Sequence, residues 1–233
     1  MATKKADASE AAAPVLLRTD RGGIATLTLN RPESGNSLSH ELVCALQAAW
    51  DEIDTDASVR VVVLAASGRL FCTGHDLTES IAAMADPPSK LAANRECSKM
   101  MQSMLKLSKP IIAKVHGVAT AAGCQLMATC DLALASTEAR FATPGVNIGL
   151  WCLSPQVAIS RTIAPKHAMQ MLLTGKLYDA DTALRFGLIN EAVAPAELDA
   201  RVDELAAEII SKSPHAIAMG KRSFYRQLTM PLE

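Results

Sequence analysis

Aromatic residues are scarce in this 233-residue chain: they make up 3% of the sequence, whereas hydrophobic residues as a whole make up 49%. The core must therefore be built from Ala, Val, Leu, Ile and Met, which suits α/β or helical packing better than an aromatic-rich β-sandwich. The chain is long enough for one large domain or two small ones.

An excess of charge of either sign is also absent. The 23 basic residues nearly balance the 24 acidic ones, the net charge is −1, and no basic block extends beyond Lys4 and Lys5. Binding to a nucleic-acid backbone needs clustered positive charge, so we expect no nucleic-acid partner. A local basic patch for a phosphorylated ligand stays compatible with this composition.

Signals for metal ligation, membrane insertion and secretion are missing too. The six cysteines form no CxxC pair and show no metal-ligand spacing with the five histidines, which predicts reduced thiols in a cytoplasmic protein and no metal site. No apolar run reaches the roughly 18 residues of a membrane span, so we expect no membrane insertion. Residues 1–14 lack the apolar core of a signal peptide and make a poor transit peptide, which predicts a disordered tail.

Strands and helices alternate along the rest of the sequence. Residues 15–30 predict a β-hairpin, and the apolar runs 59–67 and 110–117 are typical of strands covered on both faces. A first helix is predicted to end at about residue 53, and another to begin at about residue 122. Further helices are predicted over residues 89–107, 155–163, 167–174, 180–186, 196–213 and 215–228. This order predicts one α/β core domain over residues 15–195 and a C-terminal helical region over residues 196–233.

Two loops rich in small residues follow the buried strands. They read CTGHDL (72–77) and ATAAGCQ (119–125), and ligands of open α/β sheets bind beyond the carboxyl ends of strands. Small residues let the main chain approach a ligand, and two converging backbone N–H groups would form an oxyanion hole for a carbonyl that gains negative charge. Close packing of helix on sheet needs the same small residues, so both interpretations stay open here.

Five segments occur in a recognisable order: LTLNRPESGNSLS, VVVLAASGRLFCTGHDL, KPIIAKVHGVATAAGCQLMATCDLALAS, FATPGVNIGL and TGKLYDADTALRFGLINEAV. With them the chain resembles the enoyl-CoA hydratase/isomerase (crotonase) superfamily over nearly its whole length. The resemblance implies a crotonase-like spiral of ββα units, a homotrimer or hexamer, and an acyl-CoA thioester as substrate with no bound cofactor. Family members continue past the position of Glu233 with helices that cover the acyl pocket and help to build the trimer.

The resemblance also implies which residues form the site. The family polarises the thioester carbonyl with two main-chain N–H groups, whose positions match His75 and Ala122. A basic residue that meets a CoA phosphate in many members is replaced by Glu33. The positions that match substrate-binding residues are Ser34, Gly35, Ser37, Thr73, Gly74, His75, Leu77, Trp151 and Cys152.

The catalytic acids depart from the family pattern. Hydratases of the family use two glutamates to deliver water across a double bond, and the matching positions here hold Gln125 and Gly145. Neither residue can exchange a proton near neutral pH, so we expect hydration of 2-enoyl-CoA far below the usual rates of the family. Gln125 either holds a water or the acyl group, or packs as a hydrogen-bonded amide.

Other side chains near these positions allow more than one role. The His75 ring could move a proton near pH 7, or only its N–H matters; Asp76 could cap or anchor the first loop. Cys152 could attack a thioester, or be an inert buried thiol, and Trp151 could line the acyl pocket or pack in the core. Three hypotheses follow: an acyl-CoA enzyme without the usual carboxylates, a non-catalytic acyl-CoA binder or regulator, and a thioester hydrolase using His75 or Cys152.

Overall fold

A computed structural model describes residues 13–231 of the chain. The strands are β1 (Leu16–Arg21), β2 (Ile24–Leu29), β3 (Val61–Ala66), β4 (Ile111–Val115), β5 (Val118–Thr120), β6 (Leu132–Ser136), β7 (Arg140–Ala142), β8 (Tyr178–Asp179) and β9 (Glu191–Val193). The helices are α1 (His40–Thr55), α2 (Leu77–Ala82), α3 (Pro87–Lys106), α4 (Ala122–Thr129), α5 (Leu153–Thr162), α6 (Pro165–Thr174), α7 (Ala180–Phe186), α8 (Leu198–Ile210) and α9 (Pro214–Gln227).

Within this described part, the strands form two sheets. The six-stranded sheet has the order β1-β2-β3-β4-β6-β9, in which β1 and β2 form an antiparallel hairpin and every later neighbour is parallel. The three-stranded sheet has the order β5-β7-β8, with β5 and β7 parallel. The predicted α/β class is thus confirmed, and the carboxyl ends of β3 and β4 lie at the same edge of the large sheet.

Strand β3 explains why the predicted buried runs are apolar at every position. Its alternate residues face opposite sides of the sheet. On one side, Leu64 joins the core under α1, α3 and α4. On the other side, Val61 and Val63 pack in a smaller cluster with residues of α8. Because helices cover both faces, no position of the strand is left for a polar side chain.

The C-terminal helix α9 is attached to the body of the protein by one buried cation. The ammonium of Lys221 lies 2.7 Å from Asp131 Oδ2 and donates to the carbonyl oxygens of Met104 and Lys109. The hydroxyl of Tyr225 donates to Asp131 Oδ1 at 2.8 Å. These bonds fix α9 beside the start of β4 and the start of β6.

Several boundaries differ from the sequence prediction. The strand predicted over residues 110–117 is confirmed as β4, which ends at Val115, and the next residues, 118–120, form the unpredicted β5 in the other sheet. Helix α2 was not predicted, and α3 begins two residues earlier than expected because Pro87 occupies its first turn, where proline is tolerated. Residues 1–12 of the predicted tail lie outside the described residues.

No helix within residues 13–231 combines the length and the apolar character needed to cross a membrane.

Candidate active site

The two loops singled out in the sequence lie against each other. The N–H of Thr120 donates to the carbonyl of Cys72 at 2.9 Å, and its hydroxyl donates to the carbonyl of Thr73 at 3.1 Å. Cys72 and Ala119 also pair as an isolated parallel bridge. The loop after β3 therefore runs alongside the segment that leads into α4.

A tight turn at Ala121 connects β5 to α4. Ala121 has φ 49° and ψ −123°, a conformation that L-residues rarely adopt and that costs roughly 1–3 kcal/mol. It is held on both sides, because its N–H donates to the carbonyl of Ala142 and its carbonyl accepts from the N–H of Gln125. These two bonds fix the turn from which α4 begins.

Glycine is required where α4 meets the first loop. A Cβ on Gly123 would lie 2.1 Å from the carbonyl oxygen of Cys72, which is far inside van der Waals contact. Gly74 has φ +106°, and a Cβ there would lie 2.9 Å from Ala121 Cβ and 3.2 Å from the nitrogen of Ala122. The small residues at these positions therefore serve close packing, and that packing brings the backbone at Gly74 to the N-terminus of α4.

Two backbone N–H groups lie at this junction, those of His75 and Ala122. Within the part of the chain that the structure describes, the N–H groups of His75 and Ala122 have no hydrogen-bond partner. Ala122 is the first residue of α4, so its N–H has no intrahelical acceptor and carries partial positive charge. A carbonyl oxygen bound here would be stabilised as negative charge develops on it.

The side chain of His75 faces α3. Its Nε2 lies 3.4 Å from the sulfur of Cys97, and both residues line a cavity of about 80 Å³ under α2 and α3. Burial lowers the pKa of His75 and raises the pKa of Cys97 to about 11, so both groups are uncharged near pH 7. Sequence reasoning missed Cys97, because it lies on a helix whose apolar positions predicted only core packing.

Asp76 connects the first loop to the loop after β2. Its carboxylate caps α2 by accepting from the N–H groups of Thr78 and Glu79, and it pairs with the guanidinium of Arg31 at 3.0 Å. Burial acts to raise the pKa of Asp76, but the bonds from Arg31, Glu79 and other donors outweigh it and hold the pKa below its usual range. These contacts show that Asp76 caps α2 and anchors the first loop to Arg31.

The positions of the two family glutamates provide no acid or base. Gln125 is buried, and its Oε1 has no hydrogen-bond partner among the described residues. Gly145 is tightly enclosed: a Cβ there would lie 2.9 Å from the carbonyl oxygen of Leu150 and 3.0 Å from the sulfur of Cys152. A glutamate at position 145 therefore needs a shift of the segment that follows it.

Cys152 and Trp151, the two candidates for the acyl pocket in the segment after Gly145, differ in exposure: Cys152 is buried and Trp151 is partly exposed. The thiol of Cys152 is buried, accepts from the N–H of Gly145 at 3.4 Å, and has its pKa raised by burial. A raised pKa keeps this thiol protonated, which disfavours a nucleophilic role. The indole of Trp151 is partly exposed and donates to Gln156 Oε1 at 2.8 Å, so it is outside the core.

The predicted CoA-binding residues lie around the first loop. The carbonyl of Gly35 accepts from the N–H and the hydroxyl of Thr73 at 3.1 and 3.3 Å. Ser37 is buried and donates to Asp76, whereas Ser34 and Leu77 are exposed. The structure therefore brings Gly35 into contact with Thr73, next to Gly74 in sequence, and leaves Ser34 and Leu77 facing solvent.

Comparison with known proteins identifies the family. The model of the enoyl-CoA hydratase/isomerase family matches residues 19–233, so the chain belongs to this family. It is 38% identical over 219 residues to enoyl-CoA hydratase domain-containing protein 3, mitochondrial, of Xenopus laevis, covering 94% of this chain and 74% of that protein. It is 37% identical over 215 residues to (E)-benzylidenesuccinyl-CoA hydratase of Thauera aromatica, and the match covers 90% of this chain and 82% of that protein.

Solved structures confirm the predicted crotonase-like fold. An enoyl-CoA hydratase of Mycobacterium smegmatis superposes with a TM-score of 0.91 at 46% identity, and it covers 94% of this chain and 86% of its own. Human enoyl Coenzyme A hydratase domain-containing protein 3 gives a TM-score of 0.90 at 37% identity with the same coverage. The combination of GHDL, ATAAGCQL and FATPGVN in the sequence predicts this second branch, and the comparison confirms it.

The prediction of a cytoplasmic protein is wrong. It relied on scattered cysteines and on a poor match to targeting segments, whereas the relatives from Xenopus laevis, Danio rerio and Homo sapiens are named mitochondrial proteins. Reduced thiols are common to both compartments, so cysteine usage does not separate them.

Proposed function

We propose that this member of the enoyl-CoA hydratase/isomerase family binds acyl-CoA thioesters and polarises their carbonyl between the N–H groups of His75 and Ala122. The observation that carries the proposal is the close approach of the two loops at Gly74, where a Cβ would lie 3.2 Å from the nitrogen of Ala122. Next to it are two N–H groups without an acceptor among residues 13–231. Removing one donor of such a pair typically costs about 10²–10³ in rate.

Hydration of 2-enoyl-CoA is expected to be slow in this site. The chemistry needs one group to activate water and one to protonate the α carbon. Position 125 holds an amide and position 145 holds no side chain. The nearby imidazole of His75 contacts Cys97 on α3. We therefore propose thioester binding and carbonyl polarisation as the retained activity, without the proton transfers of an ordinary hydratase.

The carbonyl-polarising role can be measured without turnover. Acetoacetyl-CoA is a β-keto thioester whose enolate has an ultraviolet band that the keto form lacks, and two N–H donors at the thioester oxygen favour the enolate. We expect binding of acetoacetyl-CoA to the protein to produce this band at neutral pH. Binding without the band would contradict the role of the N–H pair, and absence of binding would contradict the acyl-CoA assignment itself.

Two variants distinguish the contribution of the backbone N–H groups from that of the His75 side chain. Gly74→Ala places a Cβ against Ala121 and Ala122 and should abolish the enolate band. His75→Ala keeps the N–H of residue 75 and should retain the band. The melting temperature of each variant shows whether a missing band reflects a changed site in a folded protein or an unfolded protein. A band that survives Gly74→Ala in a folded protein would exclude this junction as the thioester site.

A non-catalytic acyl-CoA binder or regulator is the second candidate, and the absence of titratable groups at Gln125 and Gly145 favours it. Gln125→Glu distinguishes the two candidates, because it restores one carboxylate beside the proposed thioester site. With crotonyl-CoA, a rate that rises by up to about 10²-fold indicates a site organised for family chemistry. An unchanged, negligible rate together with tight acyl-CoA binding indicates a binder.

We also propose that the chain assembles as a homotrimer or hexamer. Support comes from exposed apolar side chains next to the site, at Ile148, Leu150, Leu153 and Val157. Monomeric proteins rarely expose contiguous apolar patches, and such patches mark interaction surfaces. Light scattering coupled to gel filtration measures the mass; a monomer at micromolar concentration would contradict the proposal.

A further inference from the structure

A cluster of three potential metal ligands lies on the surface beside the proposed active site. His40 and Cys44 are one turn apart on α1, and Glu96 lies on α3. One ligand atom from each side chain lies within 4.8 Å of the other two, and all three residues are exposed. Residues at positions i and i+4 share a helix face, which is why α1 presents its two members together.

The distances within the cluster suit a tetrahedral metal ion. The sulfur of Cys44 lies 3.9 Å from His40 Nδ1 and 3.7 Å from His40 Nε2, and His40 Nδ1 lies 3.1 Å from Glu96 Oε2. Zinc bonds of about 2.0 Å to nitrogen and oxygen and about 2.3 Å to sulfur imply ligand separations of roughly 3.3–3.6 Å at tetrahedral angles. The ligand atoms of Cys44 and Glu96 lie within 4.8 Å of each other, and rotation of these exposed side chains would close the remaining difference from this geometry.

The chemistry of the donors narrows the choice of ion. Thiolate and imidazole together favour zinc and exclude magnesium and calcium, which take oxygen ligands. A further carboxylate lies next to the cluster, because Glu79 Oε2 accepts the N–H of His40 at 2.8 Å. The carboxylates of Glu96 and Glu79 give the site negative charge that attracts a divalent cation, and a bound ion would displace the proton of the Cys44 thiol.

We propose that His40, Cys44 and Glu96 bind a zinc ion with one coordination position open to water. The expectation of no metal site rested on the spacing of cysteine and histidine in the sequence, and it overlooked a pair one helical turn apart because the third ligand comes from a distant helix. The ion would join α1 to α3 next to Cys97, whose neighbour in sequence is Glu96. Binding to the folded state alone raises thermal stability.

Cobalt(II) is the probe, because it occupies zinc sites and reports on its ligands by colour. Titration of the reduced full chain should give a thiolate-to-cobalt charge-transfer band and the intense visible bands of a tetrahedral ion, and zinc should remove both. Cys44→Ser should lose the charge-transfer band. Absence of the bands in the unchanged protein, or their persistence in Cys44→Ser, would overturn the proposal.

A matched pair of variants tests the ligand on α3. Glu96→Gln and Glu41→Gln remove the same charge from exposed positions, but only Glu96 belongs to the cluster. Cys44 is the exposed member of the six cysteines, so its alkylation by iodoacetamide can be followed by mass spectrometry. Zinc should protect Cys44 in the unchanged protein and in Glu41→Gln and fail to do so in Glu96→Gln. Equal protection in all three would overturn ligation by Glu96.

Discussion

Nε2 of His75 lies 3.4 Å from Sγ of Cys97, and this contact ties the loop after β3 to α3. It differs from the pair of a cysteine hydrolase, in which an ionised thiolate faces a protonated imidazole. Here burial keeps the histidine neutral and the thiol protonated. The contact therefore ties the loop to α3 without supplying the ion pair that nucleophilic attack on a thioester needs.

The lowered pKa of His75 predicts a loss of stability in acid. In the unfolded chain this histidine takes up a proton below about pH 6.5, whereas in the folded protein its pKa is lower. Between these values the unfolded state binds more protons, so the free energy of unfolding falls as the pH falls. In His75→Gln this contribution is absent. Thermal melts from about pH 7.5 to about pH 5 should show a smaller acid shift in His75→Gln than in the unchanged protein.

The ion pair between Arg31 and Asp76 predicts a graded effect of substitution. Its side chains are mostly buried, at 20% and 14% exposure, so solvent screens the pair only in part. Asp76→Asn keeps an oxygen that can cap α2 and removes the charge, and we expect it to lower the free energy of unfolding by roughly 1.5–3 kcal/mol. Asp76→Ala also removes the cap, worth about 1 kcal/mol more. Urea unfolding measures both; equal effects of the two would argue against the capping role.

Some features of the site could be predicted from the sequence because they depend on residue size. The run of small residues at 119–124 indicates close approach of backbones, and the structure shows this approach at Gly123 and Gly74. The apolar run 59–67 indicates a strand with both faces covered, which β3 is. Both features can be predicted because they depend on residues that are adjacent in sequence.

Other features depend on residues distant in sequence and leave no local pattern. The contact between His75 and Cys97 needs the packing of a loop on α3, and Arg31 meets Asp76 across 45 positions. Helix α2 was not predicted because its first turn follows directly on a loop of small residues, although Asp76, which caps it, was a candidate for capping. The proximity of Glu96 to His40 and Cys44 also leaves no local pattern, since Glu96 belongs to a different helix.

The unpaired amide oxygen of Gln125 predicts that an apolar substitution stabilises the protein. A buried polar atom without a partner costs about 1–3 kcal/mol, and Gln125→Met removes it with little change in volume. We expect Gln125→Met to raise the melting temperature. Thr129→Val is the matched control on α4, because the Thr129 hydroxyl donates to the carbonyl of Gln125 at 2.7 Å and its loss should lower stability. A lower melting temperature for Gln125→Met would show that the amide has a partner.

The two helical glycines Gly123 and Gly220 predict opposite effects of the same substitution. A Cβ on Gly220 meets nothing within 4 Å, so Gly220→Ala should gain helix propensity, about 1 kcal/mol, without a clash. A Cβ on Gly123 would meet the backbone of Cys72 at 2.1 Å, which a rotamer change cannot relieve. Gly123→Ala must therefore push α4 away from the loop and weaken both stability and the enolate band of bound acetoacetyl-CoA. Differential scanning calorimetry and the band together check this: a Gly123→Ala protein with full stability and full band would show that the close approach is not needed.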